Sequence, residues 1–522
     1  MGEEAGNHTT VGVFPPRAHA ARKGLFGALE RMLPVHFEPR TEGEWRGLDA
    51  AVVLDDIVDS TLPVPTFAAA KVPRSGSSGR VRLGDSPALD RRLRGVDIAE
   101  EGIGSFAPLA PADDEQVVAA SDDGPVWVAG RRGARVTVAP GELGTHETLG
   151  DRLRAGRFLG MLSLVHFLRE VSAKHAWTPP PLRASFVVDD PNLHWTSYGY
   201  LRYPELVAHA DRHGYHVAFA TVPLDGWFAH PAAARLLRAR RDRLSLLVHG
   251  NDHIGRELAA ERPEPVAVLA QALRRVGRFE ARSHVEIDRV MAPPHGACSS
   301  ETMRAMALTG FEALCRRPPQ PGVETPLAGA LPADVHPSGL PALPRAKFGH
   351  DRGELALAAF LDRPLVLYGH HGDFADGLDR FAEEAAAINR LGEVEWVPLG
   401  RIARSSFLTR RAGARLEVRL FARRASIDVP EGVDELVVEL PPGHAEPERE
   451  TVATARFADG RATVAVRGGG MIQLALERDD AVDVSTVPSP PWRPWPLVRR
   501  ALTEGRDRIQ PLARRGRVTA RS

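Results

Sequence analysis

The 522-residue sequence predicts an α/β protein of several domains, and three features point there. The chain is too long for one compact core, so two to four domains are expected. Between about 184 and 405, short apolar runs alternate with helical segments, the pattern of a parallel sheet, barrel-like or doubly wound. On either side the pattern changes, to a smaller α/β region before it and to alternating β-strands after it.

Bulk composition narrows the function classes. Lys+Arg and Asp+Glu are equal at 67 each, so no basic excess marks the surface for nucleic acid, and no such partner is expected. Two cysteines, Cys298 and Cys315, cannot form a disulfide framework and fit a reducing compartment. The N-terminus, "MGEEAGNHTTVGVFPP", is acidic and polar where a signal peptide is basic and then apolar. The apolar run "FLGMLSLVHFL" falls far short of the roughly 20 residues that span a bilayer. A cytoplasmic location is the expectation.

Residues 1–150 read as a small α/β domain. "VGVFPP" (11–16) predicts a strand, "KGLFGALERML" (23–33) a helix and "LDAAVVLDD" (48–56) a second strand. Residues 116–140 carry short apolar runs separated by Gly and Asp, as in a β-meander. This order resembles the glutamine-amidotransferase-like fold. The region holds no cysteine, which rules out thiol chemistry of that kind and leaves an accessory role. Residues 149–175 have helical periodicity and stop before "TPPP", so 151–183 reads as a linking helix.

The middle region, 184–405, offers seven strand candidates: 184–190, 216–223, 244–251, 289–296, 311–317, 364–372 and 394–399. They are nearly continuous apolar runs, as expected when both faces of a sheet are covered. Residues 410–485 switch to alternating patterns, with a hairpin signal in "FADGRATVAV", and predict a small β-sandwich.

Four of the central strands end in groups able to do chemistry. "SFVVDDPN" ends on Asp189 and Asp190, "VHGNDH" carries His249 and His253, "APPHG" carries His295, and "LYGHHGDF" carries His370 and His371. Strand C-terminal ends share one face in a parallel barrel, and active sites form there. Adjacent carboxylates repel, so something must offset the repulsion. His-x-x-x-His spaces two imidazoles one helical turn apart, within reach of one metal ion. With one aspartate they make a set of two nitrogens and one oxygen, leaving a fourth position for water as catalytic zinc requires. The other aspartate is then free to act as general base, and a histidine from another strand as acid.

These residues resemble the polysaccharide deacetylase family, carbohydrate esterase family 4, over about 184–405. The resemblance implies a distorted (β/α) barrel, a divalent metal with zinc first in line, and hydrolysis of an acyl group from a sugar or glycoconjugate. The family's first motif implies Asp189 as base and Asp190 as ligand. Its second, His-Ser/Thr-x-x-His, implies His249 and His253 as ligands; Gly250 stands in place of the loop-stabilising hydroxyl, a loss expected to cost little. Its third, Arg-x-Pro-x-Gly, matches at Pro294 and Gly296, but Ala292 replaces the arginine that pairs with the base. His295 is a candidate replacement, and Pro294 and His295 are assigned to the substrate surface. The last motif, Leu-x-Leu-x-His, makes His370 or His371 the general acid, with His370 preferred. The Trp-containing motif is not placed.

Asn192, His194, Trp195 and Tyr198, just beyond the first motif, are expected at the mouth of the site, where a Trp can stack on a sugar face. Two other readings stay open. One is glycoside hydrolysis, with Asp252 or Asp373 as second carboxylate. The other is a degenerate, deacetylase-like binding protein, which Ala292 favours. The tail 486–522 carries nine arginines against one Asp and one Glu. It reads either as a peripheral membrane contact, with Trp492 and Trp495 at the headgroups, or as a solvated segment whose prolines limit any helix.

Overall fold

The computed structural model describes residues 8–54, 63–69, 77–105, 107–259, 264–317, 327–441 and 443–519. Residues 55 and 56 of the second expected strand, the first seven residues and the last three lie outside the described residues. Two compact units are present: Met1–Pro179 with Pro319–Leu331 and Asp351–Arg363, and Pro180–Pro318 with Pro332–His350 and Pro364–Ser522.

The first unit is built on a nine-stranded sheet. Thr9–Phe14 pairs in parallel with Val35–Pro39 and Ala50–Leu54, and Thr66–Ala69 extends the parallel run. Glu115–Ser121, Gly124–Gly130 and Gly133–Val136 form an antiparallel meander that joins at Thr66–Ala69. Gly133 makes that junction possible: it sits at φ 127°, and a Cβ there would lie 1.9 Å from the Thr66 carbonyl oxygen. The helix expected over 149–175 is divided into Leu149–Arg152 and Leu159–Val171. Gly156 lies between them at φ 91°, outside helical geometry.

The second unit holds the central sheet. Its strands are β1 (Leu182–Asp189), β2 (Val217–Thr221), β3 (Leu244–Val248), β4 (Ile287–Met291), β5 (Ala313–Arg316), β6 (Asp334–Val335), β7 (Pro341–Pro344), β8 (Ala346–Lys347), β9 (Leu365–His370) and β10 (Val394–Trp396). The order is β6-β7-β5-β4-β3-β2-β1-β9-β8, with β10 also on β1. All pairings are parallel except β6 with β7. β1 is buried from Arg183 to Asp189 because both faces are covered. Phe186 anchors one face, with the rings of Tyr215, Phe348, Phe381 and Trp396 at 5.3 Å or less.

The segment 341–347 is not among the expected strands, because Pro341 and Pro344 each remove a ladder donor and read as loop. Its first half pairs with β5, Leu314 opposite Ala342, and its second half with β9, Ala346 opposite Leu367. Arg345 lies between the halves, its N–H donating to the Arg316 carbonyl at 2.8 Å.

Residues 407–478 form two four-stranded sheets around one apolar core that includes Val418, Ile427, Val438 and Leu474. The C-terminal segment departs from expectation. Instead of being kept from helix by its prolines, it forms the helix Trp495–Thr519, with Pro511 inside. Pro496 falls in the first turn, where its missing N–H costs nothing. Arg500, Glu504, Asp507 and Arg508 all bond to residues beyond β1, so tertiary contacts along one face hold the helix. Among the described residues no helix is long and apolar enough to cross a membrane.

Candidate metal centre

Strand register assembles the site. Asp189 at the end of β1 pairs with His370 on β9 and with Ala220 on β2. Val248 on β3 pairs with Met291 across a bulge, which sets His249 beside Ala292. One ligand atom each from Asp190, His249 and His253 lies within 4.8 Å of the others. His253 Nε2 is 3.4 Å from Asp190 Oδ1. In a tetrahedral zinc site with bonds of about 2.1 Å, neighbouring donors are about 3.4 Å apart, the spacing that His253 and Asp190 already have.

Protonation suits ligation as well. His249 Nδ1 is 2.8 Å from the Ala292 carbonyl oxygen, which can only accept, so Nδ1 donates there and Nε2 is the ring atom left for ligation. Burial, with His249 beside it, pushes His253 down to about 4, so it is neutral at pH 7. Burial works to raise Asp190, but His249, His253 and Arg500 outweigh it and hold the carboxyl well below its ordinary range.

Asp189 has a different partner. Arg345 Nη1 donates to Asp189 Oδ1 at 2.7 Å, both side chains being almost fully buried. The guanidinium also stacks over the Tyr368 ring at 4.2 Å. Burial alone would raise Asp189; Arg345, with His249, turns the net shift downward. The motif pattern leaves Asp189 without an arginine because Ala292 occupies the expected position. The arginine comes instead from the Pro-flanked strand segment that local rules read as loop. His295, the suggested replacement, does not take that place: Asp189 is bonded to Arg345, while His295 sits at φ 58° with its ring 5.3 Å from that of His253.

The two histidines are joined by a tight loop and not by a helical turn. Gly250 and His253 are both left-handed, at φ 65° and 54°. A Cβ at Gly250 would lie 2.0 Å from Glu257 Oε1 and 2.6 Å from Pro294 Cγ, so the loop has no room for a side chain there. The buried Glu257 carboxylate accepts N–H groups from Asn251, Asp252 and His253 at 2.8, 3.0 and 3.1 Å. It stabilises the loop in place of a hydroxyl at position 250, and it was missed because an isolated Glu carries no sequence signal.

The C-terminal helix completes the surroundings. Arg500 Nη1 lies 3.0 Å from Asp190 Oδ1, and the same guanidinium pairs with Asp225. His194 bonds to Glu504 at 3.0 Å, and Tyr198 donates to Asp507 at 2.9 Å. Asn192 Oδ1 accepts from Arg508 at 3.3 Å, and Arg508 also lies over the Trp195 ring at 5.7 Å. His371 is buried, 3.5 Å from Asp507, whereas His370 faces a cavity of about 380 Å3. That cavity is lined by Asp189, Asp190, His249, His253, His295 and His370, together with cations. Asn192, His194, Trp195, Tyr198, Pro294 and His371 do not line that cavity.

No family model matches this chain, and no curated protein does. Solved structures give partial likenesses. A family 4 carbohydrate esterase from Streptomyces lividans, in complex with acetate, is 14% identical over 41% of this chain and 86% of its own, at a TM-score of 0.24. A polysaccharide deacetylase from Bacillus cereus is 12% identical over 41% of this chain and 91% of its own, at 0.25. A GMP synthase component from Thermoplasma acidophilum is 11% identical over 32% of this chain and 96% of its own, at 0.22.

The loop geometry makes a prediction. Gly250→Ser should destabilise the protein, by about 1–2 kcal/mol for the left-handed backbone and more for the clash, seen as a lower Tm. A Tm unchanged from the parent protein would contradict the loop geometry.

Proposed function

We propose that this chain is a metal-dependent hydrolase that removes an acyl group, acetyl first, from nitrogen on a sugar or glycoconjugate. The observation that carries the reading is the convergence of Asp190, His249 and His253 beside a second carboxylate, Asp189, that has its own buried cation. A divalent cation of the zinc type, held by those three ligands, would activate a water and polarise the acyl carbonyl.

The protein's own groups then divide the proton traffic. Asp189 takes the proton from the attacking water. Arg345 keeps it ionised and pointing into the cavity, a positioning role. His370, opposite Asp189 in register, returns a proton to the departing nitrogen. His295 on the same cavity contributes substrate surface, beside the buried Pro294. Trp195, 56% exposed, offers a face for a sugar ring, while Asn192, His194, Tyr198 and His371 act through the C-terminal helix.

The same reading takes the central sheet as a distorted (β/α) barrel over 184–405. Its last seam is supported by the segment 341–347, which pairs on both sides. Residues 1–150 are then an accessory domain, 151–183 a link and 410–485 a β-sandwich. Glycoside hydrolysis gains no support: Asp252 is tied to Arg275 at 2.5 Å, and neither it nor Asp373 lines the cavity. The degenerate reading rested on Ala292, and Arg345 removes that reason.

The test is acetate release from N-acetylated amino sugars by the zinc-loaded protein. Asp189→Asn and His370→Ala should each lower kcat about 10²–10⁴-fold with KM little changed. An Asp189→Asn protein as active as the parent would overturn the base assignment.

We also propose that the C-terminal segment rests on anionic membrane, because Trp492 just before the helix and Trp495, Val498, Leu502 and Ile509 on it are exposed. Replacing Trp492, Trp495 and Leu502 with Ser should abolish co-sedimentation with phosphatidylserine vesicles; undiminished co-sedimentation would rule the contact out.

A further inference from the structure

The cavity beside the metal ligands holds more positive charge than its own carboxylates use. Its acidic residues, Asp189 and Asp190, are paired with Arg345 and Arg500. Four further cations line the same space: Arg317, Lys347, Arg499 and Arg506. Arg506 pairs with Asp507 at 2.8 Å. Arg317, Lys347 and Arg499 have no carboxylate partner among the described residues, and Arg499 donates only to the His253 carbonyl oxygen. Arg317 reaches over Gly296, its Nε 3.6 Å from where a Cβ on that glycine would lie.

These three come from separate parts of the chain: Arg317 follows β5, Lys347 ends β8 and Arg499 belongs to the C-terminal helix. Like charges repel, and an anion placed between these three, of which Arg317 and Lys347 are exposed, would be drawn by all of them. A divalent cation on Asp190 adds to the excess. A neutral sugar polymer would accept hydrogen bonds here but would leave the positive charge unmatched. Guanidinium forks and a flexible ammonium suit a phosphate or carboxylate oxygen.

Resting on the hydrolase reading above, we propose that the substrate is an anionic acylated amino sugar, whose phosphate or carboxylate is held by Arg317, Lys347 and Arg499. The charged group docks on these cations and so presents the acyl nitrogen to Asp189, His370 and the metal ligands. This makes the C-terminal helix part of the binding site.

The test uses the full-length, zinc-loaded protein and calorimetry with three probes: N-acetylglucosamine, its 1-phosphate, and N-acetylmuramic acid. At low salt at least one charged probe should bind about tenfold or more tighter than the neutral sugar, and high salt should erase the gap. The phosphate and carboxylate probes separate the two anion chemistries. The double variant Arg317→Gln/Lys347→Gln should abolish the preference. Equal binding of all three, binding of none, or a preference that survives the double variant would each overturn the inference. Acetate release is scored separately on the same probes. Release without charge preference sinks only the anion site; charge preference without release sinks only the hydrolase.

Discussion

Two adjacent carboxylates at the end of a buried strand are the constraint around which the second unit is arranged. Asp189 and Asp190 would repel each other strongly in a low-dielectric setting, and each is given its own positive neighbours. Asp189 faces the Arg345 guanidinium and Asp190 that of Arg500, with the His253 ring also 3.4 Å from Asp190. Separate partners are what allow separate roles. One carboxylate is kept available as a base, and the other is directed toward a pair of imidazoles.

The cost of that separation is spread over the fold. Breaking a buried ion pair by removing one partner costs about 3–5 kcal/mol, so Arg345 must be held firmly where it is. A strand segment that pairs on both sides, with Tyr368 under the guanidinium, does this. Backbone strain is concentrated nearby: Asp190, His253 and His295 are all left-handed without being glycine, at φ 82°, 54° and 58°. Such conformations persist only where the surroundings fix them, here through the Glu257 carboxylate and the C-terminal helix.

Much of this was legible in the sequence because strand ends and apolar runs are local signals. The strands carrying Asp189, His249 and His370 fall within a few residues of expectation, and the order of motif residues places all of them at strand C-terminal ends. What was illegible is long-range. Arg345 is 156 residues from Asp189 and sits in a Pro-flanked segment that local rules read as loop. Glu257 acts through three backbone N–H groups, which no spacing rule marks. The helix after 494 looked unpromising from its prolines, yet side-chain contacts to residues near 190 stabilise it. Gly250 looked like a harmless loss, and the left-handed loop makes it a requirement.

The most direct measurement is a cobalt(II) titration of the metal-free protein, followed by visible absorption. One equivalent of cobalt should bind with intense tetrahedral d–d bands, and zinc should displace it. His249→Ala and His253→Ala should each abolish those bands while the fold is retained. Weak octahedral bands, no stoichiometric binding, or bands that persist without either histidine would contradict a metal centre at Asp190, His249 and His253.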